Sequence, residues 1–488
     1  MRKNLLLPAL FAGLLLLAGC EKNMEPQPGT ITPPVIFADD SYCYLDMASA
    51  TYSVTLPTTT AFSQIPVKFA TDARIMLGEI ELAKTGATLD LSSPLTLRFI
   101  LGKTYQDFTL RAENTGLPVV RIQTPAPVTS KENWMEGALI RIELPDGTVD
   151  YEGKMSIRGR GNSTWNYPKK PYALKLDAKA KILSMPSHKR WVLLANWKDR
   201  TIMRNEAAFW LSRQTGLPYT VRGQFVELVF NGRHVGNYYL CEQIKIGKDR
   251  VNVEDGGLLL ELDTYFDEVN RFWSNDFHLP WMVKEPDEEE LTAEQFDAFK
   301  QWIAELEAIL RDEARVKAHE YAEYIDVDTA IDFLIAQELT GNNDFYNTWP
   351  ADGPHSVYLY KQPGGKLYTG PMWDFDFHTF LPGRTKMWAG ATKTMYYPAL
   401  LKDPDFRARL VERWDAQKDR LKGLAEHIDE MEEKLTVSER FNHAIWPIPT
   451  TQNENGDEHI SFHDAVTLMK NSFLAKWSWM DSNIRILR

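Results

Sequence analysis

Three short stretches of this 488-residue chain carry side chains whose types and spacing could do chemistry. The first is Arg158-Gly159-Arg160-Gly161-Asn162-Ser163-Thr164-Trp165, continuing to Pro168-Lys169-Lys170-Pro171-Tyr172-Ala173-Leu174-Lys175. Its five basic residues have no acid among them, in a chain whose net charge is −12. A glycine-containing turn lets backbone amides approach an anion closely, and flanking Arg and Lys neutralise it, which is how phosphates are held. No Walker lysine is present, so taken alone the stretch also reads as a twisted hairpin with an exposed basic face. The second stretch is Gly341-Asn342-Asn343-Asp344-Phe345-Tyr346-Asn347, where Asp344 and Asn347 share a turn. Alone, it reads as ordinary helix capping. The third is Gly370-Pro371-Met372-Trp373-Asp374-Phe375-Asp376-Phe377, with two acids flanking a phenylalanine.

The elements that must position these residues follow from the patterning. Between the second and third stretches, 356–360 and 366–373 flank Lys361-Gln362-Pro363-Gly364-Gly365, the pattern of a β-hairpin. A helix with Ile331, Leu334, Ile335 and Leu339 on one face precedes Asp344. The order is helix, acidic turn, hairpin, Asp-Phe-Asp, and a hairpin brings its two ends together. Asp344, Asn347, Asp374 and Asp376 are therefore expected at one site, where oxygen ligands from two short loops suit Mg²⁺ or Mn²⁺. Protein kinases order their catalytic and metal-binding acids in this way. Asn231-Gly232 predicts a tight hairpin between 225–230 and 235–241. Helices are expected at 201–214, 292–313 and 328–339, and over most of the chain beyond 403.

Composition sets the frame. With 44% hydrophobic and 25% charged residues the chain is globular, and the fold class reads as α+β, strands leading and helices following. The acidic balance argues against a general nucleic-acid-binding surface. Three cysteines rule out a disulfide scaffold. Residues 1–19 read as a secretory signal: Arg2 and Lys3, then an apolar run too short for a spanning helix of about 20 residues. Leu17-Ala18-Gly19-Cys20 resembles the lipobox of bacterial lipoproteins, which implies lipid on Cys20 and a body anchored in the cell envelope. Residues 20–34 then form a Pro-rich tether, 35–117 a small all-β, immunoglobulin-like module, and 118–488 one large mixed domain. Cys43 and Cys241 read as two separate buried thiols.

The three stretches occur in order with Trp191-Val-Leu-Leu-Ala-Asn-Trp-Lys-Asp-Arg, Met203-Arg-Asn-Glu and Glu227-Leu-Val-Phe-Asn-Gly-Arg-His-Val-Gly-Asn-Tyr-Tyr-Leu-Cys-Glu-Gln-Ile. Together they resemble the CotH kinase family, the spore-coat kinases and their bacterial surface relatives. The resemblance covers roughly residues 150–385. It implies an atypical protein-kinase-like fold that transfers the γ-phosphate of ATP to Ser or Thr of a protein substrate, with Mg²⁺ or Mn²⁺. By that resemblance Asp344 would be the catalytic acid, and Asp374, Asp376 and Asn347 would hold metal. Lys175 and Arg160 would contact phosphates, Glu206 would pair with Lys175, and Glu242 would stand at the adenine side. Trp373 would pack on the base or in the core. The sequence departs from ordinary kinases: there is no His-Arg-Asp, and Asp376 replaces the glycine of Asp-Phe-Gly. The competing reading is a catalytically silent surface protein that binds protein or glycan, with its 15 Trp and 19 Tyr as platforms. A glycosidase built on Asp374 explains neither the basic stretch nor the motif order. His459 and His463 read as a surface pair, since no third metal ligand is indicated.

Overall fold

Strict alternation builds the first layer. In Ile65–Ala70 the residues Ile65, Val67 and Phe69 turn inward while their neighbours face water. In the same way a seven-stranded and a four-stranded sheet enclose a core of Ile36, Val54, Val67, Leu97, Phe99 and Phe108. This is a computed structural model; it describes residues 25–346, 354–388, 391–448 and 455–487. Cys20 and Asn347 lie outside the described residues. The core takes in chain expected to be tether. Gln27–Pro28 adds a parallel strand beside Thr104–Asn114, and Ile31 is buried among the core side chains. The reason is backbone pairing: Gln27 and Gly29 donate to Lys103 and Tyr105 carbonyls, each at 2.9 Å.

Residues 119–242 close into a barrel. Val119–Gln123, Met135–Glu143, Val149–Gly159, Tyr172–Ile182 and Met185–Leu194 pair in sequence order, antiparallel. Arg233–Glu242 and Gly223–Phe230 follow, and the last runs parallel to Val119–Gln123, sealing the ring. The Asn231-Gly232 hairpin forms as expected, with both residues at positive φ (50° and 80°). Inside, Ile122, Ile140, Ile157, Leu174, Trp191 and Leu240 are essentially solvent-free.

The remainder is a second sheet wrapped by helices, so the architecture is mixed α+β. Its central strand Leu258–Leu262 is buried throughout, between Pro280–Glu285 and the hairpin Val357–Lys361/Leu367–Thr369. Helix α1 (Arg204–Arg213) lies between the barrel strands Met185–Leu194 and Gly223–Phe230 in sequence and packs Ala207, Ala208, Phe209 and Leu211 into the core of the sheet domain. Helices α2 (Ala293–Arg311), α3 (Val327–Thr340), α4 (Pro404–Lys422), α5 (Leu424–Ile445) and α6 (Phe462–Asn483) complete the body. The Thr292 hydroxyl and Gln295 form a reciprocal cap that starts α2. Gly341, in the left-handed region at φ 64°, stops α3 just before Asp344. Cys43 and Cys241 are both buried and free. Among the described residues no helix is long and apolar enough to cross a membrane.

Candidate active site

A cleft of about 1280 Å³ lies between the barrel and the second sheet. Its upper wall comes from the basic stretch. Strand Val149–Gly159 buries Met155 and Ile157 in the barrel, which turns Arg158 to the other side, towards the cleft. The chain must then bend sharply. A Cβ at Gly159 would meet the Trp165 ring at 2.3 Å, and Gly161 has φ +83° with Thr164 Oγ1 1.9 Å from a would-be Cβ. The bend delivers Arg160, whose guanidinium sits 5.1 Å from the Trp373 ring centre. Arg190, from Met185–Leu194, two strands along the barrel, joins them and donates to Gln243 Oε1 at 3.0 Å. Among the described residues none of these three guanidiniums has a carboxylate partner at salt-bridge distance, and the Arg158 Nε is buried without an acceptor.

The lower wall is acidic. Hairpin Val357–Lys361/Leu367–Thr369 brings its ends together as its sequence predicts, but the ladder stops at Thr369. In the loop that follows, Met372, Trp373 and Phe375 drop into the core, leaving Asp374 and Asp376 on the cleft. Asp374 holds a left-handed backbone, φ 67°, which costs a non-glycine residue energy and is found at functional sites. Asp344 lines the same cleft from the short helix Asn343–Tyr346. Asp263, just past strand Leu258–Leu262, accepts from Ser356 N at 3.1 Å and from His355 Nδ1 at 3.2 Å. Ser356 Oγ donates to Asp374 at 3.4 Å.

Crowding of these acids changes their chemistry. Burial, then the neighbouring Asp374, push the Asp344 carboxyl up to about 7. Burial also raises Asp374, against the pull of Arg160, and burial with Asp374 beside it raises Asp376 well above the ordinary range. For His355 burial disfavours the charge, but the Asp263 hydrogen bond together with the charges of Asp263, Asp344 and Asp374 outweighs it, and the imidazole is held above its usual value. Carboxylates this close repel unless protonated or bridged by a cation. Hard oxygen donors of this kind fit Mg²⁺ or Mn²⁺. A second acidic group, His319, Asp403 and Asp405, has ligand atoms within 4.8 Å of one another. There Asp403 caps α4 and accepts from Tyr321 and His319, so its oxygens are already engaged.

The cleft gathers Arg160, Asp344, Asp374 and Asp376, but not every residue singled out from the sequence. Lys175 is exposed and does not line the cleft, although it stands opposite Arg190 in the ladder. Glu206 does not pair with it: Glu206 is buried, bound by Arg213 and the Tyr239 hydroxyl, with His427 at 3.3 Å. The helix carrying Glu206 turns that face away from the cleft. Glu242 is fully buried and neutralised by Arg222 at 2.8 Å, while the next residues, Gln243 to Lys245, do line the cleft. Trp373 is 6% exposed, stacked on Phe209 at 5.8 Å, so its ring is core rather than an open platform. Lys169 is spent on structure, donating to Ala195 O at 2.7 Å and to Asn237 O, and burial brings its amine down to about 7. Sequence reasoning missed Arg190, Asp263 and His355. The one local signal was Asp263 itself, an acid just past the leucine-rich strand Leu258–Leu262.

Residues 157–471, well over half of the chain, match the family model described as CotH kinase protein. No curated protein matches the chain. The matched span begins inside the strand that carries Arg158 and runs through Asp344, Asp374 and Asp376 into α6. The chain therefore belongs to the CotH kinase family.

Proposed function

We propose that the protein is an atypical protein kinase that transfers the γ-phosphate of ATP to a Ser or Thr hydroxyl of a protein substrate. The observation that carries this reading is the pair of opposed walls in one cleft: above, three arginines that have no carboxylate partner among the described residues, and below, Asp344, Asp374 and Asp376. Arg158 and Arg190 each give one bond to a neutral oxygen, Glu132 O and Gln243 Oε1 respectively, and the guanidinium charges match an oligophosphate, each charge-assisted bond contributing about 1.5–3 kcal/mol. The barrel then takes the part of a kinase upper lobe. Gln243 to Lys245 pass along the cleft where a hinge meets the base.

Asp374 and Asp376 would hold Mg²⁺ or Mn²⁺, and that ion, when bound, neutralises phosphate charge. Asp344 orients the acceptor hydroxyl and takes its proton as the oxygen attacks the γ-phosphorus. The bond to the β,γ-bridging oxygen breaks, and ADP leaves. Arg158, Arg160 and Arg190 hold the phosphates against the acids below. We read the two-sheet module as immunoglobulin-like and the whole as a lipoprotein held to the cell envelope through Cys20, acting on protein substrates near the membrane.

The test is direct. Full chain is incubated with γ-labelled ATP and Mn²⁺ or Mg²⁺, alone and with casein, beside Asp344→Ala. Label incorporation that drops about 10²–10⁴-fold in the variant is expected. If wild-type protein incorporates no label and ATP leaves its melting temperature unmoved, the binding-protein reading replaces this one.

A further inference from the structure

The loop that carries both cleft acids runs outside any β-ladder. The Gly370 N–H still donates to Tyr358 O at 2.9 Å; beyond it the segment belongs to no strand, and its buried backbone groups must find partners elsewhere. Two asparagines, far apart in sequence, supply them. Asn205, the second residue of α1, accepts from Phe375 N at 2.8 Å; its own amide donates to Asn196 Oδ1 at 2.9 Å. Asn455 comes from the opposite end of the chain and is 1% exposed. Its Oδ1 accepts from His378 N at 2.7 Å, and its Nδ2 donates to Asp376 O at 3.2 Å and Lys198 O at 3.3 Å. A carboxamide carries one donor and one acceptor side, so Asn455 bonds this loop as an adjacent strand would.

Asn455 is itself held. Its backbone N–H donates to Glu458 Oε1 at 2.8 Å. Two residues on, Asp457 pairs with Arg204, whose Nε donates to Thr379 O at 3.2 Å. The C-terminal segment and the start of α1 thus grip 375–379 from two sides. Asp376 lies within the gripped span and Asp374 stands immediately before it, in a left-handed backbone that needs outside support.

We infer that Asn455, with Asn205 opposite, is a positioning residue that fixes the separation of the Asp374 and Asp376 carboxylates for a divalent cation. Neither asparagine touches the reacting atoms. This assignment rests on the metal-dependent reading of the cleft, and its test separates the two.

The measurement is Mn²⁺ binding to the full chain, by EPR of free Mn²⁺ and by calorimetry, with no nucleotide and no acceptor present. Wild type, Asn455→Ala, Asn455→Asp, Asn205→Ala and Asp374→Asn are compared, with melting temperatures taken without metal. Asn455→Ala is expected to weaken Mn²⁺ binding by about tenfold or more, the range for residues that orient metal ligands. Asn455→Asp keeps the acceptor for His378 N but sets a carboxylate oxygen against Asp376 O and Lys198 O, so it too is expected to weaken Mn²⁺ binding. In phosphoryl transfer the Mn²⁺ half-saturation rises while kcat at saturating Mn²⁺ stays within about threefold. A merely structural role would lower the melting temperature and leave Mn²⁺ affinity unchanged; that result overturns the assignment. If Asn455→Ala does not fold, Asn455→Asp and Asn205→Ala decide by the same reading. Wild type that binds Mn²⁺ through Asp374 but transfers no phosphate sinks the kinase reading and leaves the clamp standing. Wild type that binds no Mn²⁺ sinks both.

Discussion

Asp344 keeps its proton at a pH where an ordinary aspartate has long lost it, because burial and Asp374 both oppose its charge. A carboxyl whose folded pKa is raised binds more protons folded than unfolded between its two pKa values. Its stabilisation is complete below about 4 and is lost as pH rises through about 7. Asp374, Asp376 and His355 are displaced the same way, so their effects act in the same direction. The metal-free protein is therefore expected to melt at lower temperature as pH rises from 5 to 8, with a shallower fall in Asp344→Asn. Scanning calorimetry without divalent metal checks this, and equal slopes in the two proteins would refute it. At this scale the acids were legible because one hairpin links them within a few tens of residues. Arg190 and Asp263 were not, since each reaches the cleft only through long-range strand pairing. Glu206 misled for a related reason: nothing local says which face of α1 meets the cleft.

Helix α1 is the element on which the site turns. Its first residues send Arg204 into a pocket with Asp199 and Asp457, all three essentially without solvent. Removing one partner of such a buried set leaves uncompensated charge and costs about 3–5 kcal/mol. Arg204→Met is expected to lose that much in urea unfolding; a loss under 1 kcal/mol would mean the network carries little. The elements themselves were largely readable. Helix α3 declared itself by period, although all of Thr329 to Thr340 is buried and not one face alone; Asn231-Gly232 declared its hairpin, and the cap at Thr292 begins α2 where the apolar repeat starts. Barrel closure was not readable. It depends on Val119–Gln123 lying parallel to Gly223–Phe230, across the whole intervening sheet. A pairing of that range leaves no mark in local periodicity.

Across the molecule, the two-sheet module is bound to the body at two places. Glu113 pairs with Arg440 of α5, with the Thr55 hydroxyl 3.4 Å from Val437 O. At the other contact the Thr58 hydroxyl donates to Leu117 O at 2.9 Å, and Thr59 and Arg121 share Glu143. Leu117 is itself part of the large core. A chain beginning at residue 118 is expected to melt several degrees below the full chain, because it loses Leu117 and leaves Arg440 without Glu113. Calorimetry of the two side by side measures this, and identical melting would show the module to be an independent attachment. The sequence revealed the module's strands but not its seat, since the contacts join residues from 59 to 382 positions apart. The added strand Gln27–Pro28 has a consequence for reach. With lipid on Cys20, the proposed leash has only seven residue steps before Gln27, a span of at most about 25 Å. A protein moored so short would patrol a thin shell over the bilayer and meet its targets by lateral diffusion. Its selectivity is then set as much by which neighbours share the membrane as by the lip of the cleft.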